Sequence, residues 1–307
     1  PSDQIRNFCL SRKSEGNMSL SLSLSLSLSL SLSRLTEIVD IGANPIDGDP
    51  PYKPMLETGL CRVTGFEPQP QALEILRKRK GKHETYLPYA LGDGKEHTLH
   101  CCEASGMTSM LEPDLSTHDV FESVKLWGKG KGRVRIPTRR LDDVSEIVAM
   151  DMLKIDVQGY EREVFANGLE KLAQCVVVHT EVSFVPLYRD MPTIGDVDSF
   201  LRRCGFIPHT FQDIKKWIIA PCVIGGNPRK PLNQLLEADM VYVRDFRHPE
   251  AMTDGQLKHL ALISHCVYGS YDLTIRCLSL LEKRGVNGLV ARYLQSLHEA
   301  GASGKRA

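Results

Sequence analysis

The sequence predicts an α/β protein with a seven-stranded, mostly parallel sheet, helices on both faces and a helical appendage at its C-terminus. The run Glu37-Ile38-Val39-Asp40-Ile41-Gly42-Ala43-Asn44 is an apolar strand that ends in an acid and a glycine turn. A second apolar strand, Val63-Thr64-Gly65-Phe66, ends in Glu67-Pro68. From Leu35 to Asp245 apolar strands then alternate with helical patterns, as a parallel sheet with crossover helices requires.

Taken in order, the first strand covers about 37 to 41, and a short helical stretch from Tyr52 to Thr58 stops at Gly59. A strand over 61 to 66 precedes a helix with Pro70 in its first turn, Ala72, Leu73 and Leu76 on one face, and its end at Gly81. The third strand, 85 to 91, runs into Gly92-Asp93-Gly94. Two additional strands, 95 to 103 and 133 to 138, flank a polar loop whose length marks it as functional or mobile. The fourth strand is Met152 to Val157, the fifth Val176 to Glu181. Thr193 and Asp196 form a capping box for the next helix, closed by Gly205, and strands at 206 to 211 and 239 to 244 complete the sheet. Beyond Asp245 three helical stretches follow, the first capped by Thr253 with Gln256, and they offer a lid or a homodimer surface. The domain division is therefore 34–245 for the sheet, 246–300 for the appendage and 301–307 for a disordered tail.

Ser19 to Ser33 alternates Ser and Leu without a break. A translated CT dinucleotide repeat gives this pattern, so residues 1–33 are read as a low-complexity, disordered segment, dispensable for the fold. The absence of a small-residue cleavage site before Arg34 argues against a signal peptide. The chain starts with Pro1 rather than methionine, which leaves open whether this is an authentic N-terminus.

An acid at each of two successive strand ends suits an adenosine. The turn distinguishes the carriers of one. Gly42-Ala43-Asn44-Pro45-Ile46-Asp47-Gly48-Asp49 lacks the Gly-x-Gly-x-x-Gly of a pyrophosphate site and places two carboxylates where a pyrophosphate would lie. S-adenosylmethionine, cationic and without phosphate, fits better than a dinucleotide.

Composition narrows the class further. Of 307 residues, 42% are hydrophobic and 25% charged, which is ordinary globular material. Lys+Arg and Asp+Glu both number 38, so no cationic excess exists to hold nucleic acid, and no membrane association is expected. The nine cysteines are scattered, with no Cys-x-x-Cys pair, which points to a reducing cytoplasm rather than a disulfide framework or a zinc site.

Leu153-Lys154-Ile155-Asp156-Val157-Gln158-Gly159-Tyr160-Glu161, with Val39 to Asn44, Phe66-Glu67-Pro68 and Leu141-Asp142-Asp143, resembles the FkbM family of S-adenosylmethionine-dependent methyltransferases over roughly residues 37 to 245. The resemblance implies a class I methyltransferase fold that methylates oxygen, often of a sugar, polyketide or other small metabolite. Two departures stand out. Pro45 and Pro50-Pro51 interrupt the turn that usually continues to a helix, and Gln158 replaces the carboxylate commonly seen at that position.

The candidate cofactor residues are Asp40, Gly42, Asn44, Glu67, which would receive the ribose hydroxyls, and Asp93, for which an adenine contact and a simple turn role are equally weighted. The candidate catalytic residues are Asp156, His179 and Glu181, which would converge at the sheet's ligand-binding edge. Asp156 and Glu181 could also hold Mg2+, although no spacing demands it. The competing classes are a Rossmann oxidoreductase and a non-catalytic cofactor-binding module.

Overall fold

The computed structural model describes residues 18–44, 48–121, 124, 128, 130–228 and 230–303. In chain order the elements are helix α1 (Met18–Leu30), strand β1 (Thr36–Ile41), α2 (Lys53–Glu57), β2 (Cys61–Phe66), α3 (Pro70–Arg79), β3 (Glu84–Leu87), β4 (Ala90–Leu91) and β5 (Glu96–Cys102). Then come α4 (Leu115–His118), β6 (Gly130–Arg139), β7 (Met152–Ile155), α5 (Glu161–Ala166), α6 (Leu169–Gln174), β8 (Val177–Ser183) and α7 (Ile194–Arg203). The chain continues through β9 (Phe206–Trp217), β10 (Gln234–Arg244), α8 (Asp254–Cys266), α9 (Tyr271–Lys283) and α10 (Leu289–Ser303).

Seven strands form one sheet in the order β3-β2-β1-β7-β8-β10-β9. β7 lies parallel to β1 and β8, whereas β10 runs antiparallel to both β8 and β9. The order reverses at β1, and the carboxyl ends around such a switch point are where open α/β sheets take their ligands. β8 is buried along its whole length, its polar His179, Thr180, Glu181 and Ser183 included. Val39, Ile41, Phe66, Leu153, Ile155, Val178 and Tyr242 share a core with Val164 and Phe165 of α5 and Val197 and Leu201 of α7. α3 packs Leu73 and Leu76 beside Tyr86 and Ala43.

The single third strand expected at 85 to 91 is two. β3 ends at Leu87, before Pro88-Tyr89, and β4 joins β6 and β5 in a separate three-stranded sheet. A proline cannot donate to a ladder, so the chain leaves the main sheet there. The expected capping boxes at Thr193/Asp196 and Thr253/Gln256 are both formed.

The chain divides into two compact units, one made of residues 37–48 and 63–245 and the other gathering 1–36, 49–62 and 246–307. The helical unit is therefore more than the C-terminal appendage expected from the sequence. Its largest surprise is α1. Residues 18–30 of the segment read as low-complexity and disordered form a helix, because Leu at every second position also places Leu at every fourth. Leu22, Leu26 and Leu30 are buried on one face, Leu24 and Leu28 are exposed on the other, and the buried face lies among α8 and α10. Ser25 and Ser296 bring their hydroxyls to 3.4 Å across this contact. Residues 1–17 and 304–307, which complete the two expected disordered segments, lie outside the described residues, whereas 301–303 belong to α10.

Candidate active site

β1 ends in a turn that only glycine can make. Gly42 has a φ of +77°, and a Cβ there would collide with the carbonyl oxygen of Asp156. The turn is stitched to the neighbouring strands: Gly42 N and Ala43 N donate to Phe66 O at 3.0 and 3.1 Å, and Asp156 N donates to Ile41 O at 3.0 Å. The ends of β1, β2 and β7 are thereby held side by side.

Glu67 closes β2 and is 2% exposed. Its Oε1 accepts from Gln69 N at 2.7 Å. Burial, reinforced by Asp40, pushes its carboxyl up to about 7, against the lowering effects of that hydrogen bond and of Lys154. A buried acid so raised gains from hydroxyl donors, and ribose hydroxyls at the end of β2 are such donors. The glycine cradle and this acid fit the adenosine of S-adenosylmethionine.

Asp40 serves the sheet as well as the site. It is buried, with Lys154 Nζ 3.4 Å from its Oδ1, and that ammonium also donates to Gly42 O at 3.3 Å. Burial opposes the charge on Lys154, but Asp40 and Asp156 outweigh it and raise its pKa. Asp40, Lys154, His179 and Val241 are register partners across β1, β7, β8 and β10. His179 thus belongs to an interior row, 6% exposed, and burial followed by the nearby Lys154 charge lowers its pKa to about 4. It is neutral near pH 7.

One step toward the carboxyl edge lies a second row. Glu181 pairs in register with Asp239, and Asp156 follows β7 beside them. Gln158 Nε2 donates to Asp156 Oδ1 at 2.8 Å and to Glu181 Oε2 at 3.0 Å. Lys215 Nζ reaches Glu181 Oε1 at 3.4 Å and Glu237 Oε1 at 2.8 Å. Burial, with Asp156 and Glu237 adding to it, pushes Glu181 well above the usual carboxylate range. Glu161 accepts from Val157 N at 2.9 Å and Gly159 N at 3.2 Å, and burial lifts it to about 7. Asp156 is partly exposed where Glu161 and Glu181 are buried.

The structure therefore separates the expected trio. Asp156 and Glu181 come together through Gln158, whereas His179 sits behind them with Lys154. Asp93 does not stand at the end of β3: it follows β4, where it accepts from Lys95 N at 3.0 Å and faces His97 Nε2 at 2.7 Å, and these partners hold its carboxyl well below the usual range. Its turn role is the one observed. Asp49, counted in sequence among the acids of the first turn, pairs instead with Lys53 at 2.7 Å, and Pro50 O accepts from Lys53 N to open α2. Asp47 and Pro45 lie outside the described residues; Asn44, partly exposed, follows the glycine turn.

Sequence reading missed Gln158 as a bridge and missed Tyr188, Lys215 and Glu237 altogether. Lys154 and Gln158 were legible inside the quoted signature. Tyr188, Lys215 and Glu237 carry no local signal, because each reaches the site from a segment far along the chain. Two residues of the polar loop bond to the site: Ser109 Oγ donates to Gln158 O at 2.7 Å, and Met107 O accepts from Tyr188 OH at 2.9 Å.

A reversing seven-stranded sheet with a glycine turn and a buried acid at its carboxyl edge is the class I methyltransferase fold. The family described as Methyltransferase FkbM domain matches residues 40–208, more than half of the chain, and the chain belongs to that family. The 2-O-methyltransferase NoeI of Sinorhizobium fredii (strain NBRC 101917 / NGR234) is 29% identical over 171 residues, covering 49% of this chain and 65% of the relative. The match thus spans less than two thirds of that relative. Among solved structures, precorrin-6y C5,15-methyltransferase from Geobacter metallireducens aligns at 12% identity over 78% of this chain and 96% of its own, with a TM-score of 0.34. Sp1610 of Streptococcus pneumoniae, a putative tRNA (m1A22) methyltransferase, aligns at 15% identity over 95% and 99%, also at 0.34. TM-scores of this size add nothing to the family match.

Proposed function

We propose that this methyltransferase acts on a hydroxyl of a small-molecule or carbohydrate acceptor, with Asp156 receiving the proton. The observation that carries the reading is the partly exposed Asp156 carboxylate at the switch-point edge, backed by Gln158 and Glu181. The relative's name as a 2-O-methyltransferase supports oxygen as the target.

When bound, S-adenosylmethionine supplies a sulfonium methyl whose bond to sulfur breaks, the electron pair staying on sulfur, as the acceptor oxygen bonds to carbon. Glu67 would hold the ribose hydroxyls, and the Gly42 turn with Asn44 the methionine end. Asp156 orients the acceptor hydroxyl and takes its proton. His179 acts at most as a neutral neighbour, since burial beside Lys154 disfavours its cation. The reading is of a cytoplasmic enzyme, supported by eight described cysteines that are all free. Among the described residues no helix is long and apolar enough to cross a membrane.

The test is a panel of free sugars, oligosaccharides and polyols incubated with tritium-methyl-labelled S-adenosylmethionine. The expected product keeps its label through mild alkali, as an O-methyl ether does. Label released as methanol marks a carboxyl ester and would overturn the hydroxyl reading.

A further inference from the structure

Asp156, Glu161 and Glu181 each bring a carboxylate oxygen within 4.8 Å of the others, a spacing that suits a hard divalent cation. Four of their six oxygens carry hydrogen bonds or an ion pair. Glu161 Oε1 is taken by two backbone N–H groups, Glu181 Oε1 by Lys215, and the facing oxygens of Asp156 and Glu181 by the two N–H bonds of one side-chain amide.

We propose that Gln158 is a positioning residue whose amide, between Asp156 and Glu181, takes the place of a divalent cation and keeps the carboxylate pair together without metal. The amide's orientation is set by the two carboxylates, which only accept, while Tyr188 OH shares its one hydrogen between Met107 O at 2.9 Å and Gln158 Oε1 at 3.3 Å. A flipped amide would turn its oxygen toward both carboxylates, acceptor against acceptor. The backbone is set for the same purpose. Gln158 has a φ of +55°, unusual for a residue with a Cβ, and is followed by Gly159 at +95°. Ser109 Oγ, bonded to Gln158 O, also accepts from Leu111 N at 3.0 Å and anchors the turn. The charged groups around the pair are Lys215 and Glu237 from β9 and β10, Asp239 from β10, Glu161 from α5 and Lys154 from β7, with Tyr188 closing the amide side. Lys215, bonded to Glu181 and Glu237 together, supplies the positive charge on the side the amide does not reach.

This inference rests on the methyl-transfer reading for what the pair does, but its test needs no acceptor. Chelator-treated native protein is titrated with Mn2+ and followed by the electron paramagnetic resonance of the free ion and by melting temperature. The native chain is expected to take up no Mn2+ at this site and to show no shift. Gln158→Glu, which replaces the two donors with an acceptor, should take up one Mn2+ per chain and melt higher with it. Gln158→Leu, which leaves the two carboxylates facing each other without that donor, should lose more melting temperature near pH 9 than near pH 5, since the proton Glu181 holds at the lower pH relieves the repulsion. A residue that merely fills space would give a loss independent of pH. The proposal is overturned if native protein binds Mn2+ and Asp156→Asn abolishes it, if folded Gln158→Glu binds none, or if the Gln158→Leu loss is the same at both pH values. The native titration and the leucine variant decide the matter should Gln158→Glu not fold. A failure here leaves methyl transfer standing, and a failure to find an acceptor leaves the Mn2+ results standing.

Discussion

Glu67 is proposed for the most specific single role in the site, and its burial makes that proposal measurable in two ways. If it accepts the ribose hydroxyls, Glu67→Ala should weaken S-adenosylmethionine binding by about 1.5 to 3 kcal/mol by calorimetry. The same residue leaves a signature in the cofactor-free protein. Its carboxyl titrates at about 7 in the fold against 4.5 ordinarily, so the folded state holds its proton more tightly than the unfolded chain. Between about 4.5 and 7 this acid therefore lowers stability as pH rises, and its full cost is present above about 7. Glu67→Gln removes that cost: relative to the native protein, the variant should gain stability across that window and hold a constant advantage above it. A difference that does not change with pH in urea denaturation would show that Glu67 is not the buried acid described. Glu67, Asp40 and Gly42 were legible in sequence because strand end, acid and turn are local neighbours. The bridging of Asp156 and Glu181 was not, since it depends on a side-chain bond to Gln158 across two strands.

At the scale of elements, α1 shows how one pattern serves two structures. Strict Ser-Leu alternation matches a strand's period of two, yet every second leucine also recurs at the helical spacing of four. Leu26 is 3% exposed and Leu28 is 80% exposed, so the two faces of the same repeat make opposite predictions. Leu26→Ser should destabilise the helical unit by about 2 to 5 kcal/mol, as large-to-small core changes do, whereas Leu28→Ser should stay within about 0.5 kcal/mol. Equal effects in chemical denaturation would return the segment to the dispensable status its composition suggests. Elsewhere the local code was sufficient: the boxes at Thr193 and Thr253 and the apolar runs of β7 and β8 placed their elements directly. Splitting the third strand at Pro88 and building a second sheet from β4, β5 and β6 depended on pairings between distant segments, which periodicity does not encode.

At the scale of the molecule, a seven-stranded, mostly parallel sheet was implied by the alternation of elements and by the family resemblance, while its order β3-β2-β1-β7-β8-β10-β9 and the grouping of 49–62 with the terminal helices were not. That short insertion follows directly on the glycine turn in sequence, and nothing local distinguishes it from a continuation of the turn. A cofactor that binds only the folded state raises stability by mass action, about 2.7 kcal/mol at a hundredfold excess over Kd. S-adenosylmethionine should therefore raise the melting temperature by several degrees, and NAD should not, because the Gly42 turn lacks a pyrophosphate cradle. The central claim is that methyl transfer proceeds at Asp156 beside a separately held cofactor. It is tested most directly by single-turnover methyl transfer from labelled S-adenosylmethionine to an acceptor from the hydroxyl panel, in native protein and Asp156→Asn, with cofactor affinity measured alongside. The account predicts a rate lower by roughly 10²- to 10⁴-fold with cofactor affinity little changed; an unchanged rate, or a loss confined to cofactor binding, would contradict it.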